Sequence, residues 1–238
     1  MPSFLINGLK MQEIFLNENE RLDDLQINNL YVVQDKTKYC FTSDAVILSN
    51  FVKVKRNEVV YDFGSGCGVI SILLYAKYNP KKIYAIEIDS GLFKLAEKSV
   101  RYNKLENKIK VVNCDLVDLH KQNLERAEVI VCNPPYFKTK NFAFKNENSN
   151  KAFARHDYSI NINDLCKAVT KNLDFGKRFY IVFPSDRTAE LIEVLLKHNL
   201  QPKTMQLVQA KEKPPHLVLI ESVLGGKSGL KVLNNLVL

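Results

Sequence analysis

The feature that most constrains the fold is an alternation of short apolar runs with segments of helical periodicity, which begins near residue 58. The apolar runs that we interpret as strands are EVVYDF, KKIYAIEID, KIKVVNCD, AEVIVCNPP, KRFYIVFP, TMQLVQA and HLVLIESVLGG. Strands that are apolar at almost every position are buried on both faces, which is typical of a parallel sheet between two helical layers. The pattern predicts an α/β fold with a doubly wound, mostly parallel, seven-stranded sheet, whose last two strands form an antiparallel pair.

Four segments between these strands have apolar residues at helical spacing. They are VISILLYAKY, SGLFKLAEKSVRYNKL, NINDLCKAVTKNLDFG and SDRTAELIEVLLKHNL. We expect Ser90 to cap the second of them and Asn163 to cap the third, with Gly176 just beyond the end of the third.

Two regions fall outside this alternation. Residues 1–57 are predicted to form a small N-terminal extension, with a hairpin-like pair around NNLYVVQDKTKYCF and a helix over SDAVILSNFV. The core domain then covers residues 58–238, and within it residues 137–160 form a long connection without a clear pattern.

Charge and composition indicate an anionic partner. The formal net charge is +8 and the calculated pI is about 9.1, which favours nucleic acid first and an anionic membrane surface second. No run of 18 apolar residues and no signal-peptide pattern is present, so we expect a cytoplasmic protein without a membrane span. The five cysteines are odd in number and lack C-x-x-C spacing, which favours reduced thiols over disulfides, and we expect no metal.

A glycine-rich turn follows the first strand of the alternating region. The segment YDFGSGCG places Asp62, Gly64, Gly66 and Gly68 two residues apart, directly before a helix. Glycines at such a turn let the backbone approach a ligand closely, and the helix N-terminus offers free N–H groups. An acid before the first glycine repels phosphate but suits an ammonium group, and the Lys-Ser/Thr of a P-loop is missing.

Two further acids end the next two predicted strands. Glu87 can accept hydrogen bonds from both ribose hydroxyls, and Asp115 can accept one from the amine of an adenine ring. An ammonium, a ribose and an adenine without phosphate together describe S-adenosylmethionine. An ordinary tight turn with helix-capping acids is the alternative, but acids at three consecutive strand ends favour the cofactor.

Over residues 41–225 this arrangement resembles the class I methyltransferases, and DFGSGCG is similar to their first motif. The resemblance implies a Rossmann-like fold and S-adenosylmethionine as the cofactor. It also implies that a segment containing Thr42 and Asp44 closes over the cofactor. The implied cofactor-binding residues are Thr42, Asp62, Gly64, Gly66, Gly68, Glu87, Ile88, Asp115, Leu116 and Asn133.

The fourth predicted strand ends in Asn133-Pro134-Pro135-Tyr136, and two prolines cannot continue the interior of a sheet. In that fold this strand ends beside the methyl group of the cofactor. The Asn133 side-chain oxygen and the Pro134 carbonyl could accept both hydrogens of a planar NH₂ group, and Tyr136 could stack on the target. The corner therefore predicts methylation of adenine N6, guanine N2 or a glutamine amide, although a plain Pro-Pro turn is the simpler alternative.

Segments at both ends of the chain are similar to the bacterial tRNA1(Val) adenine-37 N6-methyltransferase family. They are ERLDDLQINNLYVVQDKTKYCFTSDAVILSNF, ARHD, VFPSDRTAELIEVLLKHNLQPK and KPPHLVLIESVLGGKSGLKV. Cys67 stands where members often have Thr, and Asp157 stands where Glu is usual. Neither difference removes a group from the proposed chemistry.

The 137–160 connection supports an RNA substrate because its lysines alternate with phenylalanines, a combination typical of binding to unpaired nucleic acid. A solvated loop is the alternative. The predicted RNA contacts are Tyr136, Lys138, Lys140, Phe142, Lys145, Lys151 and Arg155.

The sequence thus favours methylation of adenine 37 in the anticodon loop of tRNA1(Val). The alternatives are a glutamine N5-methyltransferase of release factors, an rRNA guanine-N2 or adenine-N6 methyltransferase, and a cofactor-binding RNA chaperone without catalysis. We expect a monomer or a weak homodimer.

Overall fold

The computed structural model describes residues 16–134 and 161–238. The strands are β1 (Glu20–Asp24), β2 (Tyr31–Asp35), β3 (Val59–Phe63), β4 (Lys82–Glu87), β5 (Ile109–Asn113), β6 (Ala127–Cys132), β7 (Leu173–Pro184), β8 (Leu200–Gln209), β9 (Leu217–Leu224), β10 (Lys231–Val232) and β11 (Leu236–Val237). The helices are α1 (Ser43–Phe51), α2 (Val69–Tyr78), α3 (Ser90–Tyr102), α4 (Ile162–Asn172) and α5 (Thr188–Lys197), with 3₁₀ turns at Leu119–Lys121 and Ser185–Arg187.

The main sheet has the strand order β10-β8-β9-β7-β6-β3-β4-β5, with β11 also paired to β8. Strands β3 to β7 are mutually parallel, and β9 is antiparallel to both of its neighbours. The predicted fold class and the antiparallel last pair are confirmed. The described sheet has nine strands rather than seven because β10 and β11, of two residues each, are too short to produce a recognisable apolar run.

Two apolar layers cover the sheet, which explains why the strands are apolar at nearly every position. Within β3, Val60 faces the layer formed by β2, α1, α2 and α3, whereas Tyr61 and Phe63 face the layer formed by α4 and α5. All three side chains are almost fully buried. Burial of one such side chain contributes about 1.5–3 kcal/mol relative to exposure, so both faces of the strand stabilise the fold.

The N-terminal hairpin is formed by β1 and β2 and packs on α3. Asn103 accepts a hydrogen bond from Tyr31 N at 2.9 Å, and the Ser99 hydroxyl accepts one from Val33 N at 2.9 Å. The predicted helix over SDAVILSNFV is present as α1, but the strand that pairs with β2 lies upstream of the predicted hairpin. Its sequence ERLDD has a single apolar residue, Leu22, so no apolar run marks it as a strand. The division at residue 57 stays a prediction.

The helix caps differ from the expected ones by one or two residues. Asp89, not Ser90, caps α3 by accepting from Gly91 N and Leu92 N. Asn161, not Asn163, caps α4 by accepting from Asp164 N. The chain passes directly from α4 into β7, so Gly176 lies inside that strand with φ of +76°.

All five cysteines are free, and burial raises the pKa of Cys67 to about 12 and that of Cys132 well above its usual range. These two side chains therefore remain neutral thiols near neutral pH. Across residues 16–134 and 161–238, no helix is long and apolar enough to cross a membrane.

Candidate active site

The site lies where neighbouring parallel strands end at the same edge of the sheet. Phe63, the last residue of β3, is paired with Ile86 on β4 and with Cys132 on β6. The residues that follow each of these three, Gly64, Glu87 and Asn133, therefore lie side by side at the carboxyl edge. Adjacent strands are about 4.8 Å apart, so one small ligand can contact the residues that follow all three strands. Because β3 joins to β4 on one side and lies next to β6 on the other, this is the switch point where open α/β sheets bind ligands.

The glycine turn leaves its backbone open at this edge. Gly64 and Gly66 have φ values of +68° and +56°, and apart from their chain neighbours no described residue has an atom within 4 Å of the position that a Cβ would take at either glycine. A side chain at either position would strain the backbone and occupy this open space. The turn therefore provides a cradle in which backbone atoms can touch a ligand.

Asp62 is fully buried beneath the cradle. Its Oδ2 accepts from Ser71 N at 3.0 Å and from the Ser71 hydroxyl at 2.7 Å. Its Oδ1, like the hydroxyl of Ser65 in the turn, is buried and has no partner among the described residues. Burial raises the pKa of Asp62 to about 7, although both bonds from Ser71 oppose the shift. A buried carboxylate oxygen without a hydrogen-bond donor destabilises the fold, because its lost hydration is not replaced. An ammonium group would supply both a donor and the opposite charge.

Glu87 holds the glycine turn in place through its hydrogen bonds. Its Oε2 accepts from Gly66 N at 2.8 Å and its Oε1 accepts from Asp89 N at 2.9 Å. The side chain is almost completely buried, and this burial raises the pKa of the carboxyl group while both backbone donors oppose the shift. Each oxygen keeps a second lone pair, so both can still accept from ribose hydroxyls. The bracing role was not predicted from the sequence.

Residues suited to an adenine ring follow β4 and β5. Asp115 is exposed, and its Oδ1 accepts from Val117 N at 2.9 Å. Ile88 and Val117 are apolar and exposed, at 37% and 50%, whereas Leu116 is partly buried against the α4 and α5 layer. Ile88 and Val117 could contact the apolar faces of an adenine ring, and the Asp115 carboxylate could accept a hydrogen bond from its amine. The sequence did not single out Val117.

The segment between β2 and α1 runs along the same edge. Lys38 Nζ lies 3.7 Å from Asp89 Oδ1, at the end of β4. Burial raises the pKa of the Tyr39 hydroxyl, and a hydrogen bond with Thr42 opposes this shift. Thr42 occupies the N-cap position of α1, at the end of this segment.

The corner after β6 is described only in part. Asn133 is half-buried and Pro134 is buried, directly after the fully buried Cys132. Pro135, Tyr136 and the predicted RNA contacts Lys138, Lys140, Phe142, Lys145, Lys151 and Arg155 lie outside the described residues. Within the described ranges, no group of three or more side chains could hold a metal ion.

These features fit the cofactor predicted from the sequence, because the cradle is open and the buried Asp62 oxygen has no donor among the described residues. Two curated relatives are each called tRNA1(Val) (adenine(37)-N6)-methyltransferase. The protein from Parabacteroides distasonis is 26% identical over 197 residues, which are 82% of this chain and 81% of that protein. The protein from Bacteroides fragilis is 27% identical with the same coverage.

Two solved structures from Methanocaldococcus jannaschii share the fold. The tRNA m1G37 methyltransferase has a TM-score of 0.60 at 19% identity, covering 89% of this chain and 59% of that chain. TYW2 in complex with AdoMet has a TM-score of 0.59 at 15% identity, covering 89% and 88%. The family described as the TRM5/TYW2 methyltransferase domain matches residues 44–174, which is more than half of the chain. The protein therefore belongs to the TRM5/TYW2 methyltransferase domain family.

Proposed function

We propose that the protein is an S-adenosylmethionine-dependent tRNA methyltransferase that methylates N6 of adenine 37 in tRNA1(Val). The observation that carries the chemistry is the position of Asn133, one strand away from an open glycine cradle with an unpaired buried carboxylate oxygen. The family supports methyl transfer, and the names of the two curated relatives support the tRNA substrate and the modified atom. A structural neighbour with bound AdoMet supports the cofactor.

The bound cofactor would supply an electrophilic methyl group, and residues of β3, β4 and β5 would hold it. In this proposal Asp62 Oδ1 accepts from the ammonium group, and Glu87 accepts from the ribose hydroxyls. Asp115 accepts from the adenine amine, while Ile88 and Val117 contact its ring. Gly64, Gly66 and Gly68 bring the backbone close, and Thr42 and Leu116 complete the lining.

Asn133 and Pro134 would hold the target amine. The lone pair of an adenine amine is delocalised into the ring, which makes the nitrogen a poor nucleophile. If the Asn133 side-chain oxygen and the Pro134 carbonyl accepted its two hydrogens, the lone pair would be freed from the ring plane and could act as a nucleophile. The fixed φ angles of Pro134 and Pro135 would restrict the corner before the substrate binds. Little conformational entropy would then be lost when the reaction occurs. Tyr136 would stack on the base.

The substrate assignment is supported by charge as well as by the relatives' names. The net charge of +8 favours a polyanion, and the predicted loop contacts include four lysines and Arg155. A cytoplasmic location and a monomeric or weakly dimeric state agree with this role and remain predictions.

Mass mapping of modified nucleosides tests the assignment in cells. In tRNA from a strain that lacks the gene, N6-methyladenosine at position 37 of tRNA1(Val) should be missing and should return when the gene is restored. Retention of that nucleoside, together with loss of methylation at a glutamine of a release factor, would contradict the RNA assignment and favour the protein substrate.

The raised pKa of Asp62 predicts proton release on cofactor binding. With a pKa of about 7, the carboxyl group is mostly protonated at pH 6, and a bound ammonium would favour its charged form. The dissociation constant for S-adenosylmethionine should therefore fall by up to about tenfold per pH unit between pH 5 and pH 7. Calorimetry at pH 6 in buffers of different ionisation enthalpy should show release of up to one proton.

The Asp62→Asn variant is the matched control, because it keeps the shape of the side chain and removes its titration. It should bind the cofactor more weakly at pH 7 and without this proton release. In the free protein the same raised pKa means that the free energy of unfolding falls as pH rises from about 4 to about 7, since the unfolded carboxyl group ionises first. Proton release that persists in Asp62→Asn would assign it to another group.

A further inference from the structure

Arg187 has a buried donor for which the described residues provide no acceptor. The residue ends the 3₁₀ turn Ser185–Arg187, which joins β7 to α5 at the carboxyl edge of the sheet. Its Nε and Nη2 donate to the Glu190 carboxylate at 2.7 Å and 2.6 Å. Its Nη1 is closed to solvent and has no partner among the described residues. Buried donors without an acceptor are rare in folded proteins. An unpaired donor on a charged group therefore indicates an acceptor that is not among the described residues.

Strand order places Arg187 near the Asn133 corner. Cys132, the last residue of β6, is paired with Ile181 on β7, and Phe183 follows two residues later on β7. The Arg187 guanidinium carbon is 4.9 Å from the centroid of the Phe183 ring. The guanidinium group therefore covers a ring near the end of β7, the strand next to β6.

Arg187 and the proposed cofactor contacts lie on opposite sides of Asn133 along the edge of the sheet. The proposed cofactor contacts belong to the turns after β3, β4 and β5, whereas Arg187 follows β7, beyond β6. Two strand spacings, about 10 Å, separate β7 from β3. If the cofactor occupies the turns after β3, β4 and β5, a ligand of Arg187 lies on the other side of Asn133.

The chemistry of the group favours an oxyanion. Hydrogen bonding to Glu190 raises the pKa of Arg187, so the guanidinium is charged at any physiological pH. Asp186 and Glu190 are the nearby carboxylates, and both oxygens of Glu190 are already paired with Nε and Nη2. The side chain keeps 17% of its surface exposed. Planar guanidinium donors match the geometry of phosphate oxygens.

We propose that Arg187 Nη1 donates to a phosphate oxygen of the RNA strand next to the target nucleotide, and so positions that strand as the base enters the site. The proposal rests on the proposed function as an RNA methyltransferase. The carboxylate of S-adenosylmethionine is the other oxyanion that could bind Arg187 at this edge. Separate measurements of RNA binding and cofactor binding show which of the two oxyanions Arg187 contacts.

The test compares Arg187→Gln, Arg187→Lys and the control Arg56→Gln, which changes an exposed arginine before β3, at the opposite edge of the sheet. Affinity for a tRNA1(Val) transcript is measured by fluorescence anisotropy at several salt concentrations, and cofactor affinity by calorimetry. Arg187→Gln should weaken RNA binding about tenfold and flatten the slope of log K against log salt by somewhat under one unit. Arg187→Lys should restore the slope but only part of the affinity, because it keeps the charge without the planar donors. Arg56→Gln should match the wild type, and the cofactor affinity should be the same in all variants.

Thermal melting of each variant separates a structural role from an RNA contact. A lower melting temperature of Arg187→Gln with unchanged RNA affinity and slope would assign Nη1 a partner within the chain and overturn the proposal. Weaker cofactor binding with normal RNA binding would show that Arg187 Nη1 contacts the carboxylate of S-adenosylmethionine instead. If the wild type methylates tRNA and the variants do so equally well, only this inference fails. If the wild type neither binds nor methylates tRNA, the proposed function fails with it.

Discussion

Replacement of Asn133 by alanine should lower the rate of methyl transfer about 100-fold or more, while the affinity for S-adenosylmethionine changes little. The Asn133 side chain would accept a hydrogen of the target amine, and this bond matters most in the transition state, when the lone pair has turned away from the ring. Loss of one such preorganised polar group typically costs about 10²–10³ in turnover. The rate is measured under single-turnover conditions, and cofactor affinity by calorimetry.

Asn234→Ala is the matched control, since Asn234 is exposed and lies between β10 and β11, across the sheet from the site. It should leave both quantities unchanged. A second variant, Asn133→Asp, keeps an acceptor but adds a negative charge, so it should retain more activity than Asn133→Ala if hydrogen bonding is the main contribution. Near-normal turnover in Asn133→Ala would contradict the role given to this corner.

Replacement of Glu87 by alanine should weaken cofactor binding by at least about tenfold. Removal of a charged acceptor from the ribose hydroxyls costs about 1.5–3 kcal/mol. The same substitution leaves Gly66 N and Asp89 N without their acceptor, so the glycine turn should also become less stable. Calorimetry at pH 8 is the appropriate measurement, because burial raises the pKa of Glu87 and the carboxylate must be ionised.

Two further variants separate the contact with the cofactor from the bracing of the turn. Glu87→Gln keeps the side-chain shape and one acceptor, so it should preserve more thermal stability than Glu87→Ala while still binding the cofactor more weakly. Glu106→Ala, an exposed glutamate before β5 at the opposite edge, should behave as the wild type. Unchanged cofactor affinity in Glu87→Ala would mean that the cofactor binds elsewhere.

The part of the fold predicted correctly is the part that periodicity and glycine chemistry determine locally. Helix α2 has the bounds of VISILLYAKY because an apolar run begins directly after the glycine turn and Asn79 ends it in a left-handed conformation. The central strands could be predicted because both faces of the sheet are covered, so strands such as β3 and β6 are buried at nearly every position. Strand β1 was missed because it is polar and depends on its pairing with β2.

The site could be predicted from the sequence only as far as side-chain type and strand ends reveal it. Asp62, Glu87 and Asn133 stand out because each ends, or directly follows, an apolar run at the carboxyl edge. The bond from Gly66 N to Glu87 and the stacking of Arg187 on Phe183 depend on distances between segments that are far apart in the chain. No local pattern contains such distances, so these contacts required the structure.

The most direct test of the central claim is methyl transfer by the purified protein from labelled S-adenosylmethionine to defined RNA. A tRNA1(Val) transcript with adenine at position 37 should acquire the label as N6-methyladenosine, identified by mass spectrometry of the digested nucleosides. The same transcript with guanine at position 37 should remain unlabelled. Label on guanine, or no label on either transcript together with methylated glutamine in a release factor, would contradict the account.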